Sequence, residues 1–169
     1  MYTNLLLWSI PTLLLVFTTL TAHLSAFGEE TPAKEVIKKK MTSVMGVDDW
    51  EDQNAIRQWK EIVQLGEAAY PALIELLDET SDPVAVANIL SVFIESKGDK
   101  RMSVAATKKL LIGSGSSEAE KVRIAAANAL AHIGGATDCE ALFPLLDDTA
   151  EFVRVSAIRA LAKIGDENA

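Results

Sequence analysis

Few residues of this chain could do acid–base, nucleophilic or metal chemistry. Its 169 residues include two histidines, His23 and His132, and one cysteine, Cys139. His132 lies in an alanine-rich segment, and helical spacing brings no serine, cysteine or carboxylate beside it, so general acid–base catalysis is not predicted there. We expect Cys139 to be a small buried thiol, since one cysteine cannot form an intramolecular disulfide. The chain is therefore predicted to have no catalytic residues, no metal ligands and no cofactor.

Neither nucleotide binding nor nucleic-acid binding is predicted. Gly113-Ser114-Gly115 resembles a phosphate-binding loop only superficially, because no strand precedes it and no Gly-Lys-Ser/Thr closes it. The segment is typical of a flexible loop between helices. The 16 Lys and Arg residues against 24 Asp and Glu residues give a net charge of −8. That sign is wrong for a surface that binds a phosphate backbone.

Composition indicates an all-α protein of one domain with a short appendage. Apolar residues make up 49% of the chain and charged residues 24%, which is ordinary globular usage. Aromatic residues reach only 6%, while alanine and leucine dominate the second half. That balance favours close-packed helices over a sandwich or barrel of short aromatic strands. The length fits one domain of the usual size plus an appendage.

Residues 1–28 are predicted to be a signal peptide or a membrane anchor. No charged residue occurs from Leu5 to Phe27, a stretch as long as a bilayer-spanning helix. Apolar residues crowd its first half and threonines dilute its second, which is typical of an export signal cleaved near Gly28. The alternatives are an uncleaved anchor whose C-terminal side is cytoplasmic, because the lysines follow the stretch, and a segment packed against the domain. We therefore expect a secreted or periplasmic protein, or one anchored to a membrane by this helix.

Residues 29–49 are predicted to be a linker or an N-terminal capping helix. Thr31-Pro32 is typical of a helix start and Gly46 of a helix stop. Helical spacing puts lysines on one side and a row of apolar residues on another, namely Val36, Ile37, Met41, Val44 and Met45. We favour a cap that covers the start of the domain and leaves the lysines solvated. The alternative is a basic amphipathic segment for an anionic membrane or an acidic groove.

The chain contains internal repeats. Val122–Gly134 recurs as Val153–Gly165, and Pro71–Ala85 recurs as Glu140–Arg154. Each unit is predicted to form two amphipathic helices: a first-type helix that ends at glycine or a small residue, and a second-type helix that ends at Leu-Leu-Asp. The recurring alanines are too small to fill a wide core. They indicate that neighbouring helices approach closely.

Seven helices are predicted in the repeats. The first-type helices are Asp52–Leu65, Pro83–Ser96, Glu120–Ile133 and Glu151–Ile164. The second-type helices are Ala68–Leu77, Met102–Leu111 and Asp138–Leu146. Gly134 and Gly165 are predicted to end their helices in the left-handed conformation, and Pro83 stands where a first-turn proline is tolerated.

These units resemble HEAT repeats, in particular the short variety first associated with phycobilisome lyases. The resemblance covers about Trp50 to Asp166 and depends on recurring positions, namely Leu76-Leu77-Asp78, Val84, Val122-Arg123, Leu130, Gly134, Leu145-Leu146-Asp147, Val153-Arg154, Leu161 and Gly165. It implies a HEAT-like repeat domain over residues 50–169. The implied fold is all-α, a right-handed α-α superhelix of about three and a half helical-hairpin repeats.

The resemblance also implies a ladder of ion pairs between repeats. In the family, an aspartate after a second-type helix can pair with an arginine early in the next first-type helix. In this chain the ladder would join Asp147 or Asp148 to Arg154. The alternative is a solvated charge pair that contributes about 0–1 kcal/mol to stability.

We expect a partner protein to bind the concave face, which the second-type helices line in such solenoids. The candidate contact residues lie on the second-type helices or directly after them, namely Tyr70, Ile74, Glu75, Lys108, Phe143, Asp147 and Asp148. Ile74 and Phe143 occupy equivalent positions, which is consistent with either a shared apolar groove or packing between repeats. The acidic excess on these helices favours a partner with basic residues.

The leading functional hypothesis is a non-enzymatic scaffold or adaptor that binds proteins through its concave face. HEAT-like iron hydroxylases use His-Glu pairs as metal ligands, and they are disfavoured because this chain has no such pair. One alternative is a lyase- or chaperone-like assembly helper that binds a prosthetic group or a subunit. Another is a membrane-tethered structural subunit, and contact with the membrane is expected only if the N-terminal segment is uncleaved.

Overall fold

In a computed structural model, residues 32–47, 51–112 and 117–167 are described, and every regular element in these ranges is a helix. The predictions for the N-terminal segment 1–28 and for the loop Gly113-Ser114-Gly115 lie outside the described residues. Within the described ranges, no helix combines the length and the apolar character needed to cross a membrane.

Seven α-helices and two 3-10 helices follow one another along the described chain. The α-helices are α1 (Pro32–Met45), α2 (Gln53–Gln64), α3 (Tyr70–Glu79), α4 (Pro83–Glu95), α5 (Arg101–Leu110), α6 (Ser117–Ile133) and α7 (Glu151–Glu167). The 3-10 helices are Gly66–Ala69 and the longer Ala136–Asp147. The predicted first-type helices correspond to α2, α4, α6 and α7. The predicted second-type helices correspond to α3, α5 and the longer 3-10 helix.

The first-type helices form one stack and the second-type elements another. In the first stack α2 packs on α4, α4 on α6 and α6 on α7, while in the second α3 packs on α5. The stacks meet where α3 contacts α4, α5 contacts α6, and the longer 3-10 helix contacts α7. Each helix has an apolar stripe that it cannot bury alone, so neighbouring units bury it for one another. The predicted all-α, HEAT-like helical solenoid is confirmed.

The buried core has two clusters of different character. The first contains large side chains, and in it Tyr70 and Phe93 pack edge to face with ring centroids 5.1 Å apart. The second joins α6, the longer 3-10 helix and α7, and it contains the buried alanines Ala126, Ala157 and Ala160. Because these side chains are small, the backbones of α6 and α7 approach closely while the core stays filled.

Helix α1 begins and ends where its proline and glycine predict, and it packs into the first core cluster. Ile37, Met41 and Val44 are buried there. Asn88 of α4 is also buried, and its Nδ2 donates to the carbonyl oxygens of Val44 and Val47, each 2.9 Å away. Carbonyl groups at the end of a helix lack intrahelical donors, and this amide supplies one. One side chain of α4 therefore caps α1 and ties it to the first-type stack.

The third second-type element is a 3-10 helix, not the α-helix predicted over Asp138–Leu146. It covers Ala136–Asp147 and contains Pro144. Proline has no N–H to donate to the carbonyl of Glu140, and its ring crowds that carbonyl, so an α-helix is disfavoured through this turn. The chain adopts the tighter 3-10 helix, which at 12 residues is long for its type.

Gly134 and Gly165 do not end their helices in the left-handed conformation, contrary to the prediction. Within the described ranges, positive φ occurs only at Gly66 and Gly98. Gly165 lies inside α7. The Gly134 N–H donates to the Leu130 carbonyl at 2.8 Å, and a Cβ at residue 134 would lie 2.7 Å from that oxygen. Glycine is therefore required at 134 for space, not for its φ.

Gly66→Ala is expected to destabilise the protein by about 2 kcal/mol. Gly66 has a φ of +59°, and an added Cβ would lie 2.7 Å from the backbone oxygen of Lys97. Both the left-handed conformation and this clash oppose a side chain. The control is Gly135→Ala, where an added Cβ meets open space and φ is −125°. Urea unfolding measures both variants, and equal losses would show that the conformation of Gly66 is not the cause.

Candidate protein-binding groove

Tyr70, a predicted contact residue, is fully buried and cannot meet a partner. Its ring packs on Phe93, so this position of α3 faces α4 and the core. Burial raises the pKa of its phenol. The hydroxyls of Ser96 and Ser103 lie beside it and offset part of that rise, although neither completes a hydrogen bond to it. The prediction of Tyr70 as a surface residue is thus corrected.

Glu75, another predicted contact residue, is engaged by α1. Lys34 Nζ contacts Glu75 Oε2, and Lys38 Nζ lies 2.8 Å from Glu75 Oε1 and 3.1 Å from Glu79 Oε1. Hydrogen bonds from Lys34 and Lys38 lower the pKa of Glu75, and the hydrogen bond to Glu75 raises the pKa of Lys38. Two lysines of α1 are therefore paired with α3, which corrects the expectation that the lysines of this segment are solvated.

Ile74 and Phe143 are equivalent in the repeat but lie in different surroundings. Ile74 is partly buried and packs against the first core cluster. Phe143 is 52% exposed and lies on the longer 3-10 helix. Helix α5 packs on α3, which carries Ile74, and an ion pair joins α5 to the longer 3-10 helix, which carries Phe143. Helix α5 therefore lies between the elements that carry these two residues. A groove shared by these two positions would therefore have to cross α5.

Most of the predicted charged contact residues take part in ion pairs within the chain. Lys108 Nζ lies 2.5 Å from Asp138 Oδ1, which links α5 to the longer 3-10 helix. Asp148 is partly buried in a second ion pair, and Asp147 is exposed. The structure thus leaves Phe143 and Asp147 accessible and uses Glu75, Lys108 and Asp148 in internal contacts.

The ion pair between repeats joins Asp148 to Arg123, not to Arg154 as predicted. Arg123 Nε donates to Asp148 Oδ2 at 2.8 Å and Nη2 donates to Oδ1 at 3.0 Å, which makes the pair bidentate. The two side chains are 6% and 13% exposed. Arg154 Nη1 donates instead to the backbone oxygens of Asp148 and Thr149, at 2.8 and 3.1 Å. Asp148 lies three residues before the first residue of α7, so Arg154 reaches its backbone oxygen while its carboxylate binds Arg123 of α6.

The environment of Asp148 keeps its carboxylate ionised. Burial by itself would raise the pKa of Asp148. The hydrogen bonds from Arg123 and from the Ala150 amide, 2.9 Å away, outweigh burial together with the charges of Arg123 and Arg154. The pKa of Asp148 therefore lies below its ordinary value, and the charged side chain links α6 to the start of α7.

A groove of about 560 Å³ runs between α4 and α6. That volume is in the range of protein pockets that hold ligands. The groove is lined by α4, α6 and the segment after α1, through Val47, Pro83, Val84, Ala87, Asn88, Leu90, Ser91, Ile94, Lys121, Ile124, Ala125, Asn128, Ala129 and His132. Most of these residues are apolar, so the groove can bury apolar side chains of a partner.

Helical spacing on α4 and α6 builds this groove. Ala87 on α4 and Ala125 on α6 are small, so the two helices leave space between their outward sides. On α6, Lys121, Asn128 and His132 recur along one face and are exposed. The groove was not predicted, because the predicted contact residues all lie on or directly after second-type helices. The sequence feature that indicates it is the pair of small residues at outward positions of adjacent first-type helices.

The charge at the groove is basic, in contrast to the net charge of −8 of the whole chain. Lys121 contributes a positive charge, and no carboxylate is among the described residues that line the groove. His132 is exposed, as expected, and the Nζ of Lys163 lies 2.7 Å from its Nδ1. The α6 side of the groove therefore favours acidic groups on a partner.

Cys139 is only partly buried, whereas a buried thiol was predicted. It packs against the second core cluster near the start of the longer 3-10 helix, where part of its surface remains open. Within the described ranges, no group of three or more His, Cys, Asp or Glu side chains is placed to hold a metal ion.

Residues 106–169 match the family model for HEAT repeats. The matched part runs from the end of α5 through α6 and the longer 3-10 helix to α7. It contains the two units that repeat most clearly in the sequence. No curated protein and no solved structure matches the chain. HEAT repeats are commonly scaffolds for protein–protein interaction, so the match is consistent with a protein partner.

Arg123→Ala is expected to destabilise the protein by about 3 kcal/mol, because it leaves the largely buried carboxylate of Asp148 without its bidentate partner. The matched control is Arg154→Ala, which removes hydrogen bonds to two backbone oxygens and a positive charge near Asp148, and it is expected to cost about 1 kcal/mol. Urea unfolding of both variants gives the comparison. A larger loss for Arg154→Ala would contradict the assignment of the ion pair between repeats to Arg123.

Asp148→Asn is expected to reduce the loss of stability in acid. The pKa of Asp148 is lowered in the folded protein, so its carboxylate adds stability above its unfolded value of about 4. That contribution is lost as the pH falls through the lower folded value. The measurement is the difference in melting temperature between about pH 6 and about pH 3, which should be smaller for the variant than for the parent chain. An unchanged difference would show that Asp148 does not titrate with folding.

Proposed function

We propose that this HEAT-like chain is a non-enzymatic scaffold that binds a partner protein in the groove between α4 and α6. The observation that carries the proposal is the groove, an apolar surface that two adjacent first-type helices leave open. The match of residues 106–169 to HEAT repeats supports a protein partner. The site therefore differs from the concave face expected from the sequence, where the candidate residues are dispersed.

The proposed ligand is an amphipathic helix of the partner. The groove has a helix on each side, and a third helix laid between them can bury its apolar stripe as a further layer. Val84, Ile94 and Ile124 supply apolar contacts along the groove. Asn128 is exposed on the α6 side, where its amide can form hydrogen bonds with polar groups at the edge of that stripe.

The partner helix is expected to carry acidic residues beside its apolar stripe. Lys121 lies on the α6 side, the Nζ of Lys163 is 2.7 Å from His132 Nδ1, and no carboxylate is among the described lining residues. The earlier expectation of a basic partner depended on acidic residues of the second-type helices. Glu75 and Asp148 are now accounted for by internal ion pairs, whereas Asp147 is exposed. A basic partner is therefore the alternative outcome of the binding test.

Export is a separate part of the proposal. The apolar run from Leu5 to Phe27 supports a signal peptide over residues 1–28 and hence a secreted or periplasmic scaffold. Mass spectrometry of the N-terminal peptide, on protein from the native host, tests this. A peptide that begins near Glu29 supports cleavage. A peptide that contains Met1 to Phe27 supports a scaffold anchored to the membrane by this segment.

Ala87→Glu is expected to weaken partner binding by about tenfold, equivalent to about 1.4 kcal/mol. Ala87 is exposed and lines the groove, so the added carboxylate blocks the apolar surface without disturbing the core. The probe is a set of helical peptides with one apolar stripe and either glutamate, lysine or glutamine beside it. Fluorescence anisotropy measures their affinity for the full chain. We expect the glutamate peptide to bind most tightly and to lose affinity as salt is added.

The matched control is Ala105→Glu, which adds the same side chain at an exposed position of α5, a second-type helix. It is expected to leave the glutamate peptide's affinity unchanged. Loss of binding with Ala105→Glu alone, or a preference for the lysine peptide, would return the site to the second-type helices. A prosthetic group retained on the purified chain would contradict the scaffold and favour the assembly helper.

A further inference from the structure

The basic groups at the groove between α4 and α6 stand at its two ends. Lys121, in the second turn of α6, is exposed and is the first residue of that helix to line the groove. His132, in the last turn, is the last residue of α6 to line it. The Nζ of Lys163, on α7, lies 2.7 Å from His132 Nδ1. One amino group therefore stands near each end of the α6 side.

The two ends lie on the same face of α6. His132 follows Lys121 by eleven residues within one continuous α-helix. Eleven residues make three turns to within about 20°, and they advance about 16 Å along the axis. Asn128, seven residues after Lys121, lies on this face between the two ends and carries no charge. The α6 side therefore presents two basic positions at a fixed separation.

The surface between the basic ends offers no favourable site for a carboxylate. Ile124 and Ala125 line the groove there on α6, and the described residues of α4 that line it, within Pro83–Ile94, are uncharged. The residues directly before and after this part of α4 are Asp82 and Glu95. Acidic groups on a partner are therefore favoured near α6 and disfavoured near the ends of α4.

Salt separates the two basic ends electrostatically. The screening length at physiological ionic strength is about 8 Å, which is roughly half of the separation along α6. One carboxylate on a partner therefore interacts with one amino group and gains little from the other. A partner that uses both Lys121 and Lys163 needs two carboxylates at a matching separation.

We propose that the partner helix carries two acidic residues eleven positions apart, on the edge of its apolar stripe that faces α6. One would pair with Lys121 and the other with Lys163 beside His132. This inference rests on the proposed function, because it requires a helix in the groove. A partner helix that lies along α6 has the same rise per residue, so the same separation corresponds to the same number of residues. The spacing holds for either direction of the partner chain.

Three helical peptides, measured by fluorescence anisotropy against the full chain, test the spacing. Each has the same apolar stripe, the same first glutamate, and a second glutamate 7, 11 or 14 positions later. Glutamine fills the two unused positions, so composition and net charge are identical. All three spacings keep both glutamates on nearly one face of the peptide. We expect the peptide with the spacing of 11 to bind about threefold more tightly than the others, as one additional exposed ion pair predicts.

Lys121→Gln is expected to weaken binding of the peptide with the spacing of 11 about threefold and to remove its advantage over the other two. Lys163→Gln is expected to do the same from the other end. The matched control is Lys109→Gln, which removes the same charge from an exposed position of α5 that does not line the groove. It is expected to leave the order of the three affinities unchanged. Circular dichroism checks that all three variants are folded.

The outcomes separate this inference from the proposed function. Equal affinities of the three peptides, all weakened by Ala87→Glu, would overturn the spacing and leave the groove as the binding site. Tightest binding at a spacing of 7 or 14 would overturn the spacing in the same way. A preference for 11 that Lys121→Gln and Lys163→Gln both leave intact would overturn the assignment to these two lysines. If none of the peptides binds, the groove and the spacing are both overturned.

Discussion

The bidentate ion pair between Arg123 and Asp148 sets the geometry of the last two units. The guanidinium of Arg123 belongs to α6. The carboxylate of Asp148 also accepts a hydrogen bond from the N–H of Ala150, the residue just before α7. Arg123 is buried and Asp148 is partly buried, so either charge would be costly to leave unpaired. The direction in which α7 leaves the longer 3-10 helix is therefore tied to α6. The alanine faces of the two helices then come close enough to fill the second core cluster.

Helix α1 has the corresponding role at the start of the array. It closes the first core cluster with an apolar face, while Lys34 and Lys38 neutralise carboxylates of α3. Asn88 caps its last turn from α4. One consequence is electrostatic. Much of the acidic charge of the second-type helices is compensated inside the molecule, so the net charge of −8 is a poor guide to the charge of any one surface.

The proposed groove belongs to the stack of first-type helices. Small residues on α4 and α6 leave its space open, and Lys121 makes its α6 side basic. A partner helix with acidic residues beside an apolar stripe would match both properties of the proposed site.

The sequence alone determined the helices and their repetition, because both depend on local patterns: apolar residues at helical spacing, alanines at the close contacts, and Pro32 and Gly46 at the ends of α1. It also indicated that Asp147 or Asp148 is a charged residue in contact between repeats. Only the tertiary structure decided that Arg123 and not Arg154 pairs with its carboxylate, that Tyr70 faces the core, and that the open groove lies on the first-type helices. These features depend on how each helix is rotated against its neighbours. That rotation minimises unfilled space over many contacts at once, and no short segment of sequence contains it.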